Sequence, residues 1–162
     1  MIQYYIDKTK SMEQYSTISF VSSSVRQTEE LGKMIASTLK GREMIALFGD
    51  LGAGKTAFTR GLCAGLGIKD SVCSPTFAIV NAYCGKYPVY HFDMYRIKDV
   101  DDLFATGYYD YIGQGVIIIE WSENIASELE PGCIRIRIGK TDDENERIFE
   151  IEGLDAYADV IC

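Results

Sequence analysis

Two hydrophobic rhythms run along the chain, and the places where one gives way to the other mark its elements. Tyr15 to Val21 is β-branched and aromatic, which predicts a strand. Ser24-Val25-Arg26-Gln27 fits a capping box, and Leu31, Met34, Ile35 and Leu39 then recur at helical spacing. That pattern predicts a helix from Val25 to Lys40 closed by Gly41. Met44 to Phe48 is short and wholly apolar, as a strand buried on both faces would be. A glycine-rich stretch follows, then a helix from Thr56 to Leu66 with Phe58, Leu62 and Leu66 on one side. Phe77 to Tyr83 and Tyr87 to Phe92 read as two strands joined through the turn-sized Cys84-Gly85-Lys86. Asp99 to Thr106 reads as a short helix with an acidic start, closed by Gly107, and Val116 to Ile119 as another buried strand. Cys133 to Ile138 and Arg147 to Ile151 alternate and form a hairpin across the acidic segment Asp142 to Glu146. Strands and helices mix without repeat or linker. The expected fold is a single P-loop NTPase-type α/β domain over residues 12–162, its mostly parallel mixed sheet flanked by helices and finished with antiparallel edge strands. Met1 to Ser11 is polar, and with Met12 as a second possible start it reads as an N-terminal extension of unassigned role.

The glycine-rich stretch carries the chemistry. Gly49-Asp50-Leu51-Gly52-Ala53-Gly54-Lys55-Thr56 satisfies G-x-x-x-x-G-K-[ST] in full, between a buried strand and a helix, which is the context that this motif requires. Glycines let the backbone turn its amides toward an anion, and the helix starting near Thr56 adds its positive end. The expected phosphate-binding residues are Asp50, Leu51, Gly52, Ala53, Gly54, Lys55, Thr56 and Ala57. Lys55 would reach the terminal phosphates of ATP, and the Thr56 hydroxyl would ligate magnesium.

Such a site also needs a carboxylate near the metal, at the end of a buried strand beside the loop. Val89-Tyr90-His91-Phe92 ends in Asp93, and Val116 to Ile119 ends in Glu120. Which acid touches magnesium and which holds a water is not fixed by spacing. Glu120 reaches the site only if its strand is central. Ser74-Pro75-Thr76-Phe77 reads either as a switch segment, its Thr76 hydroxyl sensing the γ-phosphate, or as a Ser-Pro turn into a strand. Arg96 reads as neutralising phosphate charge or, the more frequent outcome, pairing with neighbouring acids, Trp121 as core packing, and His91, without metal-ligand neighbours, as structural or as a local hydrogen-bonding group.

The order GDLGAGKTAFTRGL, SPTF, YHFDMYRI and IIIEW, spread from about Ser16 to Leu154, resembles the TsaE family of bacterial P-loop ATPases required for threonylcarbamoyladenosine modification of tRNA. The resemblance implies a switch-like role for Ser74, Pro75 and Thr76, and places Asp93 and Glu120 near magnesium. Through the T-x-x-L-G pattern of the first helix it also puts Thr28 near the nucleotide. It implies slow ATP hydrolysis that resets a TsaB–TsaD complex between turnovers, TsaD transferring the threonylcarbamoyl group to the adenosine beside the anticodon.

Composition narrows the partners. Sixteen Lys and Arg against twenty-four acids give a formal charge of −8 over 162 residues, so contact with tRNA is expected only through partner proteins. No apolar run approaches the roughly 20 residues that span a bilayer, and no signal-peptide pattern opens the chain. Five cysteines with no C-x-x-C and a single histidine argue against a zinc site or a disulfide framework, so free thiols in the cytoplasm are expected. Gly139-Lys140-Thr141-Asp142 and Asp110-Tyr111-Ile112-Gly113 match guanine-nucleotide motifs only by letters. A small-molecule kinase is the enzyme alternative, although no arginine-rich lid follows the sheet. A nucleotide-gated binding module is the other.

Overall fold

The computed structural model describes residues 17–154 and, as backbone, residues 3–7. One eight-stranded mixed sheet runs in the order β1-β2-β8-β7-β3-β6-β5-β4. Its strands are β1 Gln3–Asp7, β2 Thr17–Ser22, β3 Met44–Phe48, β4 Val80–Cys84, β5 Pro88–Asp93, β6 Val116–Glu120, β7 Ile134–Lys140 and β8 Arg147–Glu152. At the centre β7, β3, β6 and β5 are all parallel, while β4 adds to β5, β8 to β7, β2 to β8 and β1 to β2 antiparallel. Residues 3–7 of the expected extension therefore form a sheet edge, and the start of the first predicted strand, Tyr15 and Ser16, lies outside the described residues.

Helices α1 (Val25–Thr38) and α2 (Lys55–Gly65) cover one face, and their apolar sides enclose the larger core with Ile45, Leu47, Ile118 and Phe149. The two helices approach to backbone contact. A Cβ on Gly61 would lie 2.0 Å from the Glu29 carbonyl oxygen, and one on Gly32 would lie 2.5 Å from that of Phe58. The other face carries a smaller core under α3 (Val100–Ala105), α4 (Tyr108–Tyr111) and a 3₁₀ helix over Ser122–Glu128. Most predicted elements appear within a residue or two, as helix ends normally vary. Ser24 caps α1 by accepting the Gln27 N–H, and Asp99 caps α3 by accepting that of Asp102.

Two expectations change. The strand predicted from Phe77 begins only at Val80, because Thr76 to Ala78 form a turn closed by the Ile79 N–H donating to the Pro75 carbonyl at 2.8 Å. Phe77 is 93% exposed at its tip. The second change is the pair of short helices α4 and Ser122–Glu128, which no hydrophobic period announces because neither is long enough to repeat one.

Candidate functional site

The central parallel strands β3, β5 and β6 all end at one edge, where side chains from separate strands can converge. After Phe48 the chain leaves β3 and turns through Gly49 (φ +146°), Gly52 (+72°) and Gly54 (+108°) before α2. At Gly49 a Cβ would come within 2.6 Å of the Ile138 carbonyl oxygen, so only glycine lets the loop pass there. Gly54 is the N-cap of α2 and supplies no side chain, so the first-turn amides of an eleven-residue helix face the loop mouth uncapped by a side chain.

A cleft of about 460 Å³ opens at this mouth. Leu51, Gly52, Ala53, Gly54, Lys55, Thr56 and Ala57 line it on the loop side, and Arg60 extends that wall along α2. Ser74, Thr76, Asp93, Tyr95, Glu120 and Trp121 form the opposite wall. Asp50 is exposed beside the cleft and takes part through its carbonyl, which accepts from Lys55 Nζ at 2.9 Å. Lys55 also donates to the Gly49 carbonyl, and its ammonium lies 3.9 Å from the centre of the Trp121 ring. Burial pushes the Lys55 pKa down, against the opposing charges of Glu123, Glu120, Asp50 and Asp93.

Asp93 and Glu120 are direct register partners on β5 and β6, so their side chains leave the same face side by side. Both are buried, at 7% and 3% exposure, a costly placement for carboxylates without partners. Those partners are present. Thr56 Oγ1 donates to Glu120 at 3.0 Å (Oε1) and 3.1 Å (Oε2), and His91 Nε2 donates to Glu120 Oε1 at 2.9 Å. Asp93 Oδ2 accepts from Ser74 Oγ at 2.7 Å, and Oδ1 accepts the Tyr95 N–H at 2.9 Å. Ser74 Oγ is in turn 3.2 Å from Thr76 Oγ1, so the Ser-Pro-Thr turn hangs from the end of β5 by a hydroxyl chain. The hard oxygen set of the Thr56 hydroxyl and two carboxylates is the kind that magnesium takes when phosphates and waters supply the remainder. Among the described residues no three His, Cys, Asp or Glu side chains cluster as a protein-only metal cage.

One predicted site residue lies apart. Thr28 is buried in α1, its hydroxyl 2.8 Å from Ser22 Oγ, and does not line the cleft. Among the described residues Arg96 pairs with no acid; it donates to the Thr76 carbonyl and braces the same turn. Trp121 does pack on the smaller core, but it also forms part of the cleft wall and meets Tyr95 in a tilted ring contact, the centroids 4.8 Å apart. Glu123, not singled out in the sequence, accepts the Gly49 N–H at 2.8 Å. Lys140 and Arg147 hold the outer rim, donating to the Leu51 carbonyl at 2.7 Å and the Gly52 carbonyl at 3.3 Å. The only sequence signal for these contacts is that the β7–β8 hairpin has cations at both ends of an otherwise acidic loop.

The family model for threonylcarbamoyl adenosine biosynthesis protein TsaE matches residues 22–149. The chain belongs to the TsaE family. Its TsaE relatives include the tRNA threonylcarbamoyladenosine biosynthesis protein of Treponema pallidum, 38% identical over 79% of this chain and 96% of that protein. The Bacillus subtilis protein of the same name is 42% identical over 78% of this chain and 81% of its own. The crystal structure of Bacillus subtilis YdiB superposes with a TM-score of 0.72 at 31% identity, covering 93% of this chain and 95% of that one. No helix among the described residues is long and apolar enough to cross a membrane.

Proposed function

We propose that this TsaE-family chain is a P-loop ATPase that binds ATP with magnesium and hydrolyses it slowly, serving the synthesis of threonylcarbamoyladenosine in tRNA. The observation that carries the reading is the convergence of Lys55 and Thr56, at the head of α2, with Asp93 and Glu120 from two adjacent strand ends. Loop amides and Lys55 would neutralise the β- and γ-phosphates, in the manner of positioning and charge stabilisation that phosphoryl transfer requires. Thr56 and one of the two carboxylates would hold magnesium, while the other carboxylate orients the attacking water. Magnesium, when bound, supplies charge neutralisation between the phosphates. Thr76, on a turn tied to Asp93 through Ser74, would respond to the γ-phosphate.

The relatives' names support the tRNA pathway, and the acidic composition supports a role exercised through proteins, which we assign to a TsaB–TsaD complex in the cytoplasm. Hydrolysis would then change partner affinity and reset that complex. The test is reconstituted tRNA modification over many turnovers, with this chain added or withheld, alongside thermal melting with magnesium-ATP. The expected result is a raised Tm, slow phosphate release that quickens with the partners, and multiple-turnover modification only when the chain is present. Asp93→Ala and Glu120→Ala should depress magnesium-dependent release by about a hundredfold, as losses of electrostatic groups at such sites do, while the chains remain folded. ADP formation driven by a small metabolite and indifferent to the partners would instead make the protein a kinase.

A further inference from the structure

His91 has no task in the reading above, yet it is fully buried on β5, between Val89 and Asp93 on the strand face that packs toward α2. Opposite it in register stand Ile118 on β6 and Asn81 on β4, and Val89 precedes it on the same face of its own strand. One ring nitrogen, Nε2, donates to Glu120 Oε1 at 2.9 Å; the other, Nδ1, is buried with no partner among the described residues. For stability alone this is a poor choice. The cost of leaving a buried polar atom unpaired offsets the one hydrogen bond that the ring makes. An aliphatic side chain would continue the Val89 face without that cost.

What the imidazole does is hold one oxygen of Glu120. Among the described residues the carboxylate accepts from two side chains only, Thr56 and His91. Thr56 is also the hydroxyl that a P-loop offers to magnesium, so its position answers to the ion as well as to Glu120. His91 belongs to the strand next to Glu120, is locked by burial, and can keep Oε1 in place, whereas Oε2 accepts from Thr56 alone among the described residues.

We infer that His91 is a positioning residue for Glu120: its Nε2–H fixes the carboxylate so that one oxygen stays committed to the protein and the other is presented to magnesium or its water. This deepens the proposed ATPase reading and rests on it. Partners that orient a ligating carboxylate are commonly worth 10–100-fold in metal affinity.

The test uses the full chain with three substitutions. His91→Gln sets an amide donor near the Nε2 position, His91→Asn sets it near Nδ1, out of reach of Glu120, and His91→Leu removes it. A fluorescent ADP analogue is titrated first in EDTA and then, at saturation, with magnesium chloride; melting temperatures are recorded for each protein. The expected result is metal-free ADP affinity within about twofold of wild type in all three. The magnesium midpoint should rise about tenfold or more for Asn and Leu and return close to wild type for Gln. Equal midpoints in all four proteins would overturn the inference and leave the ATPase reading intact. So would Gln and Asn shifting alike, or metal-free affinity falling as far as magnesium affinity. If none of the variants folds, His91 is a packing residue and the inference fails. Wild-type protein that binds no nucleotide in either condition overturns the functional reading, and this inference with it.

Discussion

At the scale of single residues, one partly buried carboxylate with several backbone partners makes stability depend on acid. Glu43 lies between α1 and β3, and its carboxylate accepts the N–H groups of Lys40, Gly41 and Arg42 at 2.7, 2.8 and 3.0 Å. Burial opposes its ionisation, but the backbone donors of residues 40–43 outweigh burial and hold the carboxyl below the usual glutamate range. A carboxyl depressed on folding contributes stability that is complete above its unfolded value of about 4.3 and is lost as pH falls through the lower folded value. Glu43→Gln should therefore lower Tm at pH 7 by a few degrees, for a loss of about 1–2 kcal/mol. The gap from wild type should close as pH falls below the unfolded value of about 4.3, which a series of melts would reveal. A constant gap across that range would mean that the contact acts by shape and not by charge.

Residue-level reading of the sequence reached Lys55, Thr56, Asp93 and Glu120, and the structure brings these four to one cleft, because each sits at a strand or helix end whose pattern was unambiguous. His91 is legible as a hydrogen-bonding group but its partner Glu120 is not, and Trp121 is legible as core packing but its place in the cleft wall is not. A lone histidine on a strand shows its face and not what lies across on the next strand. A tryptophan that both packs and lines a wall is, by composition, indistinguishable from one that only packs.

At the scale of elements, backbone conformation explains where the pattern misled. Ile79 and Trp121 have φ of +71° and +60°, and they are the only non-glycine residues with positive φ among those described. An isoleucine in that region is a true outlier, since its branched Cβ crowds the backbone. A run of aromatic and β-branched residues from Phe77 therefore looks like a strand but turns sharply before Val80. Both outliers flank the cleft, one at the end of the Ser-Pro-Thr turn and one directly after Glu120, where strain of about 1–3 kcal/mol is held only because the surroundings enforce it.

The packing of α1 on α2 is the other element-scale feature, and it sets the axis of the helix that opens at the loop. A glycine inside a helix ordinarily costs about 0.5–1 kcal/mol relative to alanine, so Gly61→Ala would stabilise an isolated α2. Here the added methyl meets the backbone of Glu29, which has no side-chain freedom with which to yield. Overpacking of that kind costs about 1–3 kcal/mol or more, so the variant should melt roughly 4 °C or more below wild type. A higher Tm would show that the helices part easily.

For the molecule as a whole, the order of the sheet strands is what lets an acid from β5, an acid from β6 and the loop after β3 meet. The sequence identified these strands one by one and assigned them to a parallel core, but their order in space depends on long-range pairing that no local pattern records. The excess of acids bears on partners at this scale. Binding that depends on phosphate neutralisation needs clustered cations, and several here are already spent: Lys140, Arg147 and Arg96 donate to backbone carbonyls. Purified chain should leave labelled tRNA unshifted in anisotropy at 0.1 M salt, and tRNA should join only when the partner proteins are supplied. A salt-sensitive rise in anisotropy from the chain alone would locate RNA contact on this protein.

The ammonium of Lys55 has a final consequence. It already rests on two carbonyl oxygens and an indole face, so any anion that claims it must evict those companions before gaining anything. Part of what the newcomer's charge offers is thereby offset, and its net hold on this side chain is smaller than the fresh contact alone would give.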